Sequence, residues 1–322
     1  MNERDRNREP NPSERSSPTL TRRDFVVAGT AAGMAAAAGL GFTASATSPA
    51  PDLAVAHGPD VVRNTVSVID ALGGIETFVR KGQVVNILPN AQGTHPGTST
   101  DQGLVRAVVN LCNRAGASTV RWLTWISGKY WDRSAIATLS EGSGAEMVRI
   151  DAENDAQWRT LEVPRGVALH EVRVFKALWE CDVFISMPIF KDHVGSRFTG
   201  SLKNFMGTSH PTDNRAFHPT FEGEDLVHME QCIADLNTVV RQPDLIVADA
   251  MTILTSKGPF GPGDIASPQQ VVAGTDRVAL DAYGATLLRL DGRQVGMIRN
   301  ASDHDLGQID LDALEIRRIE TA

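Results

Sequence analysis

Two lysines, an imidazole, a carboxylate and an amide fall within seventeen residues, between Lys191 and Gly207. The segment reads Pro188-Ile189-Phe190-Lys191-Asp192-His193 and continues as Gly200-Ser201-Leu202-Lys203-Asn204-Phe205-Met206-Gly207. Two cations held close together repel unless an anion, a carboxylate or a metal-bound group lies between them. Lys191 and Lys203 would supply charge to an anionic ligand, and Asn204, Ser201 and Thr199 would supply hydrogen bonds. Gly200 and Gly207 would let backbone N–H groups approach it. A lysine whose charge is opposed by a second lysine can also serve as a base or a Schiff-base nucleophile. Lys191, His193 and Lys203 are therefore the candidate catalytic groups. The plain alternative is a solvated polar loop, but the segment is richer in Gly, Asn, His and Lys than a simple connector needs.

Four histidines, His193, His210, His218 and His228, lie within 36 residues of one another, with Asp192 and Asp213 nearby. Imidazole and carboxylate together suit zinc or another transition metal. No pair has the i, i+4 helical spacing of a protease zinc site, so the candidate metal ligands reduce to His193 and His218. Asp249 ends an apolar run, and Asp281 interrupts the helical stretch Val278-Ala279-Leu280-Asp281-Ala282. An acid in such surroundings must be paired or exposed, and a salt bridge to Lys191 or Lys203 would satisfy either one. The candidate ligand-binding set is Asn90, Asn204, Gly207, His218, Asp249 and Asp281.

The elements that would position these groups read as an α/β pattern, a mainly parallel sheet flanked by helices, forming one large domain or two tightly joined halves. Apolar runs predict strands at residues 83–88, 120–124, 146–150, 183–187, 244–248, 270–273 and 313–319, with weaker alternation at 169–174. Helices are expected from Asp101 to about Ala115 with Thr100 as cap, over 130–140, from Asp225 to Arg241, and from a Thr275 cap through Leu290. Strands end in polar loops at Asn90, at His193, at Asp249 and at Gly274-Thr275-Asp276. In a parallel sheet the carboxyl ends share one edge, so these groups would converge there.

The N-terminus reads as an address rather than as fold. Residues 1–21 are polar, and Thr21-Arg22-Arg23-Asp24-Phe25 then opens an Ala/Gly-rich apolar run to about Phe42. This is the pattern of a twin-arginine export signal, handled by the twin-arginine translocase. Small-residue cleavage patterns occur at Ala44-Ser45-Ala46 and Ala54-Val55-Ala56, so residues 1–56 are expected to precede the α/β domain of residues 57–322. The apolar run is marginal in length and too rich in Gly and Ala for a good membrane anchor, so cleavage is expected over retention. The product would be periplasmic or extracellular.

Composition narrows the partners. The chain has 31 basic and 39 acidic side chains, a formal charge of −8. Such a surface argues against nucleic acid, whose phosphates require a basic face. The partners that stay open are a small anionic ligand, for the Lys191 and Lys203 segment, and an exported redox partner. Cys112, Cys181 and Cys232 form no Cys-x-x-Cys pair, so this chain alone is not expected to hold an iron–sulfur cluster or a zinc ribbon.

Taken in order, several motifs resemble the domain-of-unknown-function 362 family. They are Pro188-x-x-Lys191-x-His193, Lys203-Asn204-x-x-Gly207, His218, the Asp249 strand end, Gly258-Pro259, Asp276-x-x-Ala279-x-Asp281 and Asp305-Leu306-Gly307-Gln308-Ile309-Asp310. The resemblance covers about residues 80–320. It implies an α/β fold without a settled general activity. Many members carry a ferredoxin-like module, which points to redox or cofactor-linked roles; this chain has no such module. Members often show Lys-Pro-Asn after the first strand, where this chain has Leu88-Pro89-Asn90, so Asn90 matches and one expected cation is missing.

Overall fold

The computed structural model describes residues 50–124, 141–218 and 226–322. The helix expected over 130–140 lies outside these residues, as does the twin-arginine segment.

The strands, in chain order, are β1 Leu53–His57, β2 Val84–Pro89, β3 Thr119–Thr124, β4 Glu146–Arg149, β5 Trp158–Glu162, β6 Glu171–Phe175, β7 Val183–Met187, β8 Lys191–His193, β9 Arg197–Thr199, β10 Leu245–Ala250, β11 Ile253–Leu254, β12 Ile265–Ala266, β13 Gln270–Gly274 and β14 Ile316–Glu320. The helices are α1 Val61–Ala71, α2 Gln102–Arg114, α3 Ser201–Asn204, α4 Pro211–Ala216, α5 Leu226–Asn237, α6 Arg277–Leu287 and α7 Gly296–Asp303. Eight strands form one sheet in the order β14-β1-β13-β10-β7-β2-β3-β4. All neighbours pair in parallel except β13, which is antiparallel to both β1 and β10. The fold is therefore α/β with a mainly parallel sheet, and the described residues fall in one compact unit, Pro49–Ala322.

Strands buried on both faces read as continuous apolar runs, which is why Val183-Phe184-Ile185-Ser186-Met187 is fully buried. Alternate residues of the central strands feed two separate cores. Phe184, Ile246 and Ala248 pack with α5, α6 and α7 on one face. Val183, Ile185, Leu245 and Val247 pack with α1 and α2 on the other. Aspartates start α1, α2 and α6. Asp60 accepts from Val62 and Arg63 N–H, Asp101 from Gly103 N–H, and Asp276 from Val278 and Ala279 N–H. Asp101 and Asp276, rather than Thr100 and Thr275, are thus the caps. Thr100 instead donates from Oγ1 to the Met187 carbonyl at 2.8 Å.

Two expectations are corrected. The fold begins before residue 57: Leu53, Ala54, Val55 and Ala56 are buried in β1, which lies between β13 and β14. Ala54-Val55-Ala56 reads as a cleavage pattern because small apolar residues serve both a peptidase and a crowded central strand. The second correction concerns β13. Because it runs antiparallel, its first residue Gln270 lies beside Ala250 while Gly274 lies beside Ile246. Gly274-Thr275-Asp276 therefore sits at the opposite edge of the sheet from Asn90 and Asp249. Asp276 there caps α6 and also accepts from the Gln308 N–H at 2.7 Å.

Candidate functional site

The site grows from the carboxyl edge of β7 and β2. Beyond Met187 the chain is strapped to β10 by two backbone hydrogen bonds, from Asp249 N–H to the Pro188 carbonyl at 2.8 Å and from Phe190 N–H to the Asp249 carbonyl at 3.0 Å. It then forms the antiparallel hairpin of β8 and β9, with Lys191 opposite Thr199, Asp192 opposite Phe198, and His193 opposite Arg197. Side chains alternate across a strand. Phe190, Asp192 and Phe198 share one side, where Phe190 stacks on Phe198 at 5.7 Å and Asp192 accepts from the Gly258 N–H at 2.8 Å. Lys191, His193 and Thr199 share the other side.

Lys191 is completely buried. Its Nζ donates to the Thr98 carbonyl at 2.6 Å and to Asn90 Oδ1 at 3.4 Å. The Asn90 orientation is set by a chain of amides. Asn204 Nδ2 donates to the Leu88 carbonyl at 2.9 Å and to Ser186 Oγ at 3.2 Å. Asn204 Oδ1 consequently faces Asn90 and accepts from its Nδ2 at 3.3 Å. A carbonyl only accepts, so the Leu88 oxygen fixes both amides in turn and leaves Asn90 presenting oxygen to Lys191. No carboxylate lies within ion-pair distance of Lys191 among the described residues. Burial, reinforced by the Lys203 charge, pulls its ammonium down to about 7.

Three further basic groups act on the same spot. His193 is held well below its ordinary value by burial and then by Lys203, Lys191 and His218. Its Nδ1 accepts from the Gly195 N–H at 2.9 Å, so the neutral ring carries its proton on Nε2. His218 is also lowered, by burial and by Lys203, against a raising contribution from the Asn214 carbonyl. Its Nδ1 donates to that carbonyl at 3.0 Å, which leaves the lone pair of the neutral ring on Nε2. The two rings are 6.5 Å apart. Lys203 Nζ lies 3.3 Å from Met206 Sδ. Lys191, His193, Lys203 and His218 thus form one basic cluster, with Asn90 and Asn204 beside it.

The two acids support this cluster without neutralising Lys191. Asp281 accepts from Ser201 N–H at 2.5 Å and from Leu202 N–H at 2.9 Å, gripping the start of α3, which carries Lys203 and Asn204. Gly200 must be glycine, because a Cβ there would meet the Asp281 carboxylate and the Phe198 ring. Asp249 accepts from Asp101 N–H at 2.6 Å and Met251 N–H at 2.8 Å. Burial pushes both carboxyls up to about 7. The expected Asp–Lys salt bridges are replaced by amide N–H donors, which satisfy a carboxylate without requiring a buried cation beside it. Gly207 is half-buried, and a Cβ added to it would meet nothing within 4 Å, so neither packing nor a positive φ requires glycine there.

The histidine cluster divides. His210 caps α4 by accepting from the Thr212 N–H at 3.2 Å and packs edge-on against Trp158 at 4.8 Å. His228 Nε2 lies 3.4 Å from Cys232 Sγ on α5. Only His193 and His218 come together, and among the described residues no group of three His, Cys, Asp or Glu side chains could hold a metal ion. Thr98 was not legible as a site residue. It acts through its backbone carbonyl, and any residue type has one.

The sequence matches the family described as domain of unknown function (DUF362) over residues 84–286. The chain belongs to that family. The DUF362 match runs from β2 into α6 and includes every candidate site residue from Asn90 to Asp281, while β1, α1 and β14 lie outside it. No functionally curated protein matches the sequence. Among solved structures, the lactate racemase apoprotein from Thermoanaerobacterium thermosaccharolyticum is similar at 11% identity and TM-score 0.44, covering 72% of this chain and 56% of that one. A structural-genomics protein from Thermotoga maritima is similar at 12% identity and TM-score 0.42, covering 77% of this chain and 60% of that one. The DUF362 chain thus corresponds to under two thirds of the length of each.

Proposed function

We propose that this DUF362 protein is exported by the twin-arginine route and binds a small anionic ligand, a substrate or cofactor, in the cleft of Lys191, His193, Lys203 and His218. The observation that carries this reading is Lys191: a completely buried amine with only carbonyl oxygens for partners, surrounded by other basic groups. A bound anion would convert mutual repulsion into attraction and restore the lysine charge. The same field works against a metal cation at His193 and His218. Asn90 and Asn204 orient the lysine, and a Cβ on Gly207 would stand in open space. Native mass spectrometry of protein purified from the exported fraction tests this reading directly by revealing a co-purifying anion. A ligand at a hundredfold excess over Kd stabilises the fold by about 2.7 kcal/mol. Lys203→Ala and His193→Ala should each abolish that stabilisation. Equal stabilisation of both variants and the wild type would refute the assignment.

A second reading, an enzyme with Lys191 as base or nucleophile, is favoured by the same two hydrogen bonds. A neutral amine has two N–H groups, and Thr98 and Asn90 take both, leaving the lone pair as the remaining position. Competitive labelling of Lys191 by an amine reagent should then rise through about pH 7. A rise only near pH 10 would remove this reading.

A further inference from the structure

Two hydroxyls in the segment that follows Lys191 have no protein partner among the described residues. Thr199 Oγ1 and Ser201 Oγ are buried and make no hydrogen bond among the described residues. Their residues are 2% and 0% exposed. A buried hydroxyl left unsatisfied costs about 1–3 kcal/mol, and most buried hydroxyls find a neighbour. Thr199 is the cross-strand partner of Lys191, so the two side chains stand on one side of the β8–β9 hairpin. Ser201 is three residues before Asn204, on the same side of the α3 turn, and Asn204 is bonded to the Asn90 amide that holds Lys191. The backbone at this point is already used: the Ser201 and Leu202 N–H groups are taken by Asp281, so the helix start is not the donor. What remains for a ligand is side-chain chemistry, two O–H groups and the amine.

The geometry points to Thr199 and Ser201 as the hydroxyls that grip the oxyanion head of the ligand, a carboxylate or a phosphate, against Lys191. This rests on the anionic-ligand reading above and adds which end of the ligand lies against Lys191 and what holds it. A hydroxyl donates one hydrogen bond and rotates to find its acceptor, so two of them beside a lysine suit a group with several equivalent oxygens. The other buried unsatisfied atoms, Asn86 Oδ1, Ser209 Oγ and Arg277 Nε, share neither this ladder nor this turn.

The test uses near-isosteric variants, Thr199→Val and Ser201→Ala, with inorganic phosphate and oxalate as separate calorimetric probes. Each variant should weaken binding of the preferred probe roughly tenfold, the loss of one charge-assisted hydrogen bond. The probe that loses affinity in both variants identifies the head group as phosphate or carboxylate. The melting temperature of the unliganded variants should be unchanged or higher, because the deleted hydroxyls had no protein partner. Unchanged affinity with a lowered melting temperature would mean that the hydroxyls hold structural water, and would overturn the inference while leaving the anion reading intact. Failure of the wild type to bind either probe would overturn both.

Discussion

Asn90 Nδ2 donates to Asn204 Oδ1 at 3.3 Å, and the direction of that bond decides what Lys191 meets. Were the Asn204 amide reversed, it would offer oxygen to the Leu88 carbonyl and nitrogen to Asn90, and Asn90 would turn nitrogen toward the lysine. A backbone oxygen on β2 therefore sets the polarity around a side chain 103 positions later in the chain, Leu88 to Lys191.

Asn204→Asp keeps the shape and removes the donor. The Leu88 carbonyl and the new carboxylate would face each other unsatisfied, at a cost of about 1–3 kcal/mol. Urea denaturation should show that loss as a lower midpoint. Asn204→Gln does not restore it, because the longer side chain displaces the amide from Asn90.

The pH dependence of stability follows from Lys191. Its folded value, about 7, is depressed from the ordinary 10.5. The unfolded chain therefore binds more protons between those values, and the contribution of Lys191 to stability rises with pH across that window. As pH falls through 7 the contribution is lost. The difference in unfolding free energy between wild type and Lys191→Met, measured from pH 6 to pH 10, should therefore increase in favour of wild type as pH rises. A flat difference would contradict the buried, uncompensated amine.

Asp281 gives the opposite slope. Its carboxyl is raised from 3.8 to about 7 by burial, so its contribution is fully present below pH 3.8 and is lost as pH rises through 7. Against Asp281→Asn, the wild type should lose relative stability between pH 5 and pH 8. The Asn side chain supplies one acceptor oxygen for two N–H donors, so the variant should also be less stable at pH 5 by about 1 kcal/mol, read from thermal unfolding.

On the proposed export route, cleavage should follow Ala46 and not Ala56. A chain starting at residue 57 lacks Leu53, Ala54, Val55 and Ala56, all buried in β1, and leaves β13 and β14 without the strand between them. N-terminal sequencing of exported protein identifies the site. Circular dichroism should show a folded chain when it begins at residue 47 and an unfolded one when it begins at 57.

The apolar runs at 183–187 and 244–248 made the central strands legible, because strands buried on both faces contain few polar residues. Lys191, His193, Lys203, Asn90 and Asn204 stood out as polar groups released where such runs stop, and the structure brings them together. The direction of β13 was hidden, since Gln270–Gly274 has the same composition whichever way it runs. The role of Asp281 was hidden for a related reason. Its partners are the backbone N–H groups of Ser201 and Leu202, which leave no mark in residue type, so a nearby lysine looked like the natural partner.

β1 pairs with β14, and the side-chain hydroxyl of Thr321 reaches the His57 carbonyl at 3.1 Å. Among the described residues these are the first and last strands in sequence, so the outer edge of β1 is closed only by a pairing that spans most of the fold. Pairings between residues so far apart in sequence are slow to form, so this closure is expected late in folding. A chain cut before Ile316 would leave the outer edge of β1 unpaired, an invitation to edge-to-edge association.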